Sequence, residues 1–324
     1  MSTVTGPAPC QHDRTFQLTF QLPAAGWTYG EVVSDAETTV LTVAGRQVAL
    51  VEHGDPTGRP VFLFHGTPAS RLGHGFADRP GRERGARVIV PDRAAIGRSE
   101  PLPDRTIAGY AGEVTALADA LGIGRFAVVG YSAGGSYAIA VAAGAADRVR
   151  GVGLMAGAGP VDDRAGARDG MAASDLKLMD LSLRDPRGAA RLLRIEGMVS
   201  RFAPRLALRS VAGEVSAADR AALTDGIGRA TMRSFAEATR QGGGGVVADY
   251  RLYASPWGVD WSDVARPVEV FQGDADGFVP MHHAEDMVAR LPTGLGRLHR
   301  LRGVGHISIT ARFGDVLDAV LAEE

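Results

Sequence analysis

Cysteine is all but missing from this chain. Cys10 stands alone among 324 residues, so neither an internal disulfide nor a cysteine-based metal centre can form, and a reducing compartment fits. Lysine is as scarce: Lys177 is the single one, every other basic residue being arginine. That reads as the coding bias of a GC-rich genome rather than a chemical demand. No charge of one sign dominates, since the formal net charge is −2 and the charges are interspersed, which argues against nucleic acid as a partner and against a membrane-surface patch. No apolar run approaches the roughly 20 residues of a membrane span, and the first residues lack the basic and apolar regions of a secretory leader. The expectation is a cytoplasmic protein without membrane association. No feature demands an oligomer, although a homodimer would be compatible with the sequence.

What is present is a hydrophobic fraction of 45% and 43 glycines, enough for a large core. The most informative stretch is Gly130-Tyr131-Ser132-Ala133-Gly134, with the apolar run Phe126 to Val129 before it and an Ala-rich helix former after it. Strand, sharp turn and helix put one serine at the apex of a strained turn, where a neighbouring Cβ would collide and glycine relieves the crowding. The same geometry aims the Ala133 N–H, at the first turn of the helix, at the place where a carbonyl oxygen would become an oxyanion.

In chain order, residues 1–30 read as an N-terminal extension. Thr39 to Val43 and Gln47 to Val51 read as a hairpin, and Val61 to Phe64, Arg87 to Val90 and Val149 to Met155 as buried strands alternating with helices, one of them over Ile107 to Leu121. After Pro160 no strand is convincing for about ninety residues; Asp175 to Leu183, Pro186 to Phe202, Ala217 to Arg229 and Ser234 to Gln241 read as short helices, since so long a structureless loop is implausible. The run Gly242 to Gly245 reads as a flexible joint. The strand pattern resumes at Val268 to Phe271 and Leu298 to Leu301, and Ala284 to Leu291 and Ile309 to Ala322 read as helices. The expected class is α/β, a mostly parallel sheet with helices on both faces, carrying an inserted all-helical lid: core 31–159 plus 255–324, lid 160–254.

A serine hydroxyl needs a general base and a group to orient that base. Gly273-Asp274-Ala275-Asp276 and Gly303-Val304-Gly305-His306 both follow strands, so the order is Ser, Asp, His, with Asp274 and Asp276 competing as the acid. These three features, together with the His65-Gly66 turn after the Val61 to Phe64 strand, come in order at strand ends and resemble the α/β-hydrolase fold family from about Thr38 to the C-terminus. The resemblance implies Ser132 as nucleophile, Asp276 as acid, three residues past Gly273 and four before Pro280, and His306 as base. It further implies a second oxyanion donor on the Thr67 N–H after the His65-Gly66 turn. His65 and Tyr131 are the candidate substrate-binding residues, Tyr131 either packing under the lid or presenting its hydroxyl to the pocket. One departure is Ala95, where the family often has the first glycine of Asp-x-x-Gly-x-Gly-x-Ser.

The remaining candidates have plainer readings. His65 reads as a buried hydrogen-bonder holding the oxyanion loop rather than as a base, since the base role is filled, and His74 either borders the pocket or is solvated. His282 and His283 are neighbours that cannot face one site, so no metal is expected. Trp257 and Trp261 read as packing where the lid rejoins the core, and Arg191, Arg194, Arg201 and Arg205 as a solvated helix face. The implied function is hydrolysis of a small-molecule acyl substrate, an ester, lactone or thioester, without a cofactor. Carbon–carbon hydrolysis, cofactor-free perhydrolysis, a non-hydrolytic tailoring role and a small-molecule receptor are the alternatives.

Overall fold

A computed structural model describes residues 37–161, 164–211, 213–223 and 225–322. The expected extension, residues 1–30, lies outside them. Eight strands, β1 (Thr39–Val43), β2 (Arg46–Gly54), β3 (Arg59–Phe64), β4 (Ala86–Pro91), β5 (Phe126–Tyr131), β6 (Val149–Met155), β7 (Val268–Gly273) and β8 (Gly296–Leu301), form one sheet in the order β1-β2-β4-β3-β5-β6-β7-β8. β1 and β2 make the expected antiparallel hairpin and β2 runs antiparallel to β4; every other pairing is parallel. Successive side chains of a strand point to opposite faces, so Phe62 and Phe64 enter one core and Val61 and Leu63 the other. That is why β3 reads as a continuous apolar run: both of its faces are covered.

The helices, in chain order, are α1 (Asp78–Glu83), α2 (Tyr110–Ala120), α3 (Gly134–Gly144), α4 (Ala173–Arg184), α5 (Pro186–Phe202), α6 (Pro204–Val211), α7 (Ala217–Ala222), α8 (Asp225–Ala238), α9 (Gly244–Tyr253), α10 (Met281–Arg290) and α11 (Phe313–Leu321). α1 and α11 pack on one face of the sheet, α2, α3 and α10 on the other. Between β6 and β7 the described chain is helical, and α5 starts with Asp185 capping Gly188 N and Pro186 in the first turn. Two boundaries differ from the periodic reading. The expected helix from Ala217 to Arg229 is broken after Ala222, and α8 absorbs its second half together with the start of the expected Ser234 helix. The glycine run is the larger correction: Gly244 opens α9, a Cβ on Gly243 would overlap the Ala190 carbonyl, and one on Gly245 would overlap that of Ala95. Gly243 and Gly245 thus permit close packing of backbone on backbone, whereas a Cβ on Gly242 or Gly244 would meet nothing within 4 Å.

Ala95 itself adopts φ +63°, the left-handed region that costs a residue with a Cβ about 1–2 kcal/mol. Ala95→Gly is therefore expected to raise the unfolding free energy by about 0.5–1 kcal/mol, the relieved backbone less the added freedom of the unfolded chain. Urea titration reads it, and a destabilised variant would show that the Cβ contributes packing worth more than the strain.

Candidate active site

Ser132 sits between β5 and α3 at φ +56°. Its N–H donates to Met155 O at 3.0 Å, and its carbonyl accepts from Gly135 N at 2.9 Å and Ala158 N at 3.0 Å, so the neighbouring strand end holds the backbone in this strained well. The flanking glycines are needed: a Cβ on Gly130 would stand 2.5 Å from Gly134 O and 2.6 Å from Gly135 Cα, and one on Gly134 would overlap Phe64 O. Strand and helix could not approach so closely otherwise.

His306 follows β8 and Asp276 follows β7. His306 Nδ1 and Asp276 Oδ2 are 2.9 Å apart, while Asp276 Oδ1 accepts the N–H groups of Phe278 at 2.8 Å and Val279 at 2.9 Å. Both carboxylate oxygens are thereby aimed, and the Nδ1–H tautomer leaves Nε2 unprotonated for proton transfer. Asp274 does other work: its Oδ1 accepts from Gly303 N at 2.6 Å, tying the two loops together. The imidazole lies between Tyr131 and Phe278, each ring centroid 5.3 Å away. Burial disfavours its charged form, but the Asp276 carboxylate, followed by Asp219 and Asp175, more than offsets this and holds its pKa above the ordinary histidine value.

Ser132 and His306 line one cavity of about 1080 Å³, walled by Thr67, Phe76, Leu178, Val199, Ile227 and Phe235 among others, with Asp175 of α4 in its wall. The wall is largely apolar, and much of it comes from α4, α5 and α8. No acceptor among the described residues takes the Thr67 or Ala133 backbone N–H. The direction of the former is set from behind. The buried Arg93 guanidinium donates to the carbonyls of His65 and Gly66 and to Thr67 Oγ1, the latter two at 2.9 Å. In a trans peptide the N–H points opposite to the C=O, so holding Gly66 O toward Arg93 turns the Thr67 N–H away from it. Arg93 is fixed in turn by Asp249 of α9, at 2.6 Å, and by the Tyr137 ring, 4.6 Å from its centroid. Burial disfavours the Asp249 carboxylate, yet Arg93 and Arg105 hold it well below the usual carboxylate range.

One pocket expectation changes and another is narrowed. His65 does not line the cavity: its ring is fully buried, donates from Nδ1 to Gly66 O at 2.8 Å, and accepts at Nε2 from Arg93 N at 3.4 Å, with burial keeping it neutral. It braces the turn instead. Tyr131 does line the cavity, but its hydroxyl donates to His306 O at 2.8 Å and is committed to the base loop rather than to a ligand. His74 borders the cavity, held neutral by burial with a pKa of about 3. Arg191, Arg194, Arg201 and Arg205 are exposed and do not line it. His283 accepts from Gly159 N at 3.1 Å and donates to Ala167 O at 2.7 Å, and no metal-holding group exists among the described residues. Trp257 and Trp261 stack 5.8 Å apart, away from the cavity. No helix of the described residues is long and apolar enough to cross a membrane. Arg93, Asp249 and Asp219 carry no sequence signal, because each works on groups far away in the chain, Arg93 and Asp219 on backbone and Asp249 on the side chains of Arg93, Arg105, Tyr137 and Thr67.

Comparison with known proteins agrees with this architecture. Over 122 residues, 37% of this chain and 43% of the relative's length, the sequence is 35% identical to a 2-hydroxymuconate semialdehyde hydrolase of Pseudomonas putida. A thermophilic esterase from Thermogutta terrifontis superposes with a TM-score of 0.62 at 21% identity, over 89% of this chain and 97% of that one. The enol-lactonase from Burkholderia xenovorans LB400 gives 0.64 at 18% identity, over 88% and 100%. The family model described as alpha/beta hydrolase fold matches residues 59–310. With the match running through the sheet, the serine turn and the loops after β7 and β8, this chain belongs to the α/β-hydrolase fold family of enzymes.

Proposed function

We propose that the protein is a serine hydrolase that cleaves a small to medium carboxylic ester, lactone or thioester by a Ser132-His306-Asp276 triad, with residues 160–254 as its lid. His306 Nε2 takes the Ser132 proton as Oγ attacks the carbonyl carbon. The oxyanion is stabilised by the Thr67 and Ala133 N–H groups, and the proton passes to the leaving alkoxide or thiolate. Water, deprotonated by the same nitrogen, then releases the acid and restores the serine. No cofactor enters this sequence. The observation that carries the reading is the buried Asp276–His306 pair, 2.9 Å apart, on the same cavity as a serine at φ +56°.

The test is intact mass after exposure to a fluorophosphonate, followed by turnover of p-nitrophenyl esters and lactones. One adduct on Ser132, with turnover, supports the proposal; no adduct on the folded protein overturns it. A pH dependence follows with a definite sign. Only the neutral imidazole is a base, and the His306 pKa is raised, so kcat/KM is expected to climb with pH through a limb above the ordinary histidine value of about 6.5. A limb below it would remove the role of the carboxylates.

The likeness to a 2-hydroxymuconate semialdehyde hydrolase favours carbon–carbon hydrolysis as the second reading, so that compound belongs in the substrate panel. A labelled serine that ignores esters would point to it, or to perhydrolysis or tailoring chemistry. Binding without turnover would point to a receptor.

A further inference from the structure

The carboxylate of Asp219 is 0% exposed, yet no cation pairs with it among the described residues. A buried charge is retained only where hydrogen bonds hold it, and here all of the described donors to it are backbone groups of one loop. Oδ2 accepts from His306 N at 2.9 Å; Oδ1 accepts from Ile307 N at 2.9 Å and Ser308 N at 2.8 Å. These N–H groups lie at the entrance to the short helix Ser308–Arg312, where a helical turn leaves its first donors without internal partners. Such donors are ordinarily capped by a side chain just before the helix. In this chain the cap comes from α7, 87 residues earlier, in the segment between β6 and β7. Gly305 makes the approach possible, since a Cβ there would overlap the carboxylate.

We infer that Asp219 is a positioning residue for the His306 base, holding its loop through three backbone N–H groups and placing a second negative charge beside the imidazole. The inference rests on the triad reading of the proposed function. Asp276 grips the ring at Nδ1 and Asp219 grips the main chain of the same residue, so ring position and loop position are fixed by different segments. The charged and titratable groups facing His306 are Asp276 from the loop after β7, Asp219 from α7, Asp175 from α4 and the Tyr131 phenol from β5. A neutral cap could satisfy the N–H groups; a carboxylate also favours the imidazolium that forms when Ser132 loses its proton. α7 is flanked by Val215 and Leu223, both in the cavity wall. A substrate filling the cavity therefore touches the chain on either side of the residue that sets the base.

The experiment compares wild type with Asp219→Asn, which keeps the shape and loses the charge, and with Asp219→Ser. Ser216→Ala is the milder third variant, removing only the hydroxyl that accepts from Asp219 N at 3.1 Å. Three readouts are taken at matched near-UV circular dichroism: the rate of fluorophosphonate labelling of Ser132 against pH, the His306 imidazole titration by NMR, and hydrogen exchange of residues 303–312. Expected for the Asp219 variants are a labelling plateau lower by about tenfold to a hundredfold, an imidazole titration and acid limb moved to lower pH, and faster exchange at residues 306–308. Ser216→Ala should move each in the same direction by less. An unchanged plateau and an unchanged His306 titration would overturn the inference while leaving the triad intact. Wild type that takes no label would overturn the triad reading instead, and the NMR titration and exchange would still decide whether Asp219 holds and polarises the loop.

Discussion

Replacement of Ser132 by alanine is expected to lower kcat by about a hundred-thousandfold to a millionfold, to abolish fluorophosphonate labelling, and to leave the fold in place. The reason is chemical: every covalent step of the proposed sequence passes through Oγ, and the other hydroxyl of the turn, that of Tyr131, is bonded to His306 O. The fold should survive because the Ser132 backbone is held by Met155, Gly135 and Ala158 rather than by its side chain. Stability supplies an independent check. At φ +56° any residue with a Cβ carries about 1–2 kcal/mol of strain, so Ser132→Gly should be more stable than Ser132→Ala while equally inactive. Residual turnover within tenfold of wild type in both variants would show that the chemistry does not run through this serine.

Arg93→Met is expected to damage both rate and stability. Methionine fills much of the volume, but the His65 carbonyl loses its guanidinium donor, the Gly66 carbonyl is left with the His65 Nδ1–H alone, and Asp249 is left with Arg105, at 2.8 Å, as its remaining guanidinium partner. Removing one member of a buried ion pair costs on the order of 3–5 kcal/mol, read as a lower denaturant midpoint. The kinetic effect is separate. With Gly66 O held by the His65 Nδ1–H alone, its peptide plane loses one of two anchors and the Thr67 N–H on that plane turns with it, so weakened oxyanion stabilisation lowers kcat by up to about a hundredfold to a thousandfold. The loss should appear in kcat rather than KM, because the donor acts on charge that exists only in the transition state. A variant destabilised as expected but with unchanged kcat would show that Arg93 supports the core and not the oxyanion turn.

Arg93 also marks the limit of what the sequence discloses. The neighbouring Asp92 and the sequence through Ser99 stand out as a motif, and the motif's departure at Ala95 is visible as a missing glycine. That the guanidinium next to them reaches back to two carbonyls of a different strand end is not visible, since nothing in its neighbours encodes the distance. The glycine run Gly242 to Gly245 failed in a related way. Composition alone reads it as freedom, whereas Gly243 and Gly245 are there because other backbones, those of Ala190 and Ala95, lie against them. His65 was legible as a histidine beside a turn, but only its two hydrogen bonds reveal that it faces away from the cavity.

By itself the sequence determined the alternation of strand and helix, the turn that carries Ser132, and the order in which Asp276 and His306 follow at later strand ends. Those features are local: burial on both faces makes continuous apolar strands, and a crowded strand-to-helix turn demands glycine within two residues of the serine. Tertiary structure decided which distant groups the buried charges serve. Arg93 behind the His65-Gly66-Thr67 turn, Asp249 behind Arg93 and Asp219 behind the His306 loop were settled only when α7 and α9 came to rest against strand ends distant in the chain. A hydrogen bond to a main-chain N–H or C=O leaves no trace in the identity of the residue that supplies it, and a pair such as Arg93–Asp249 is separated by 156 residues, so no pattern along the chain could have announced them.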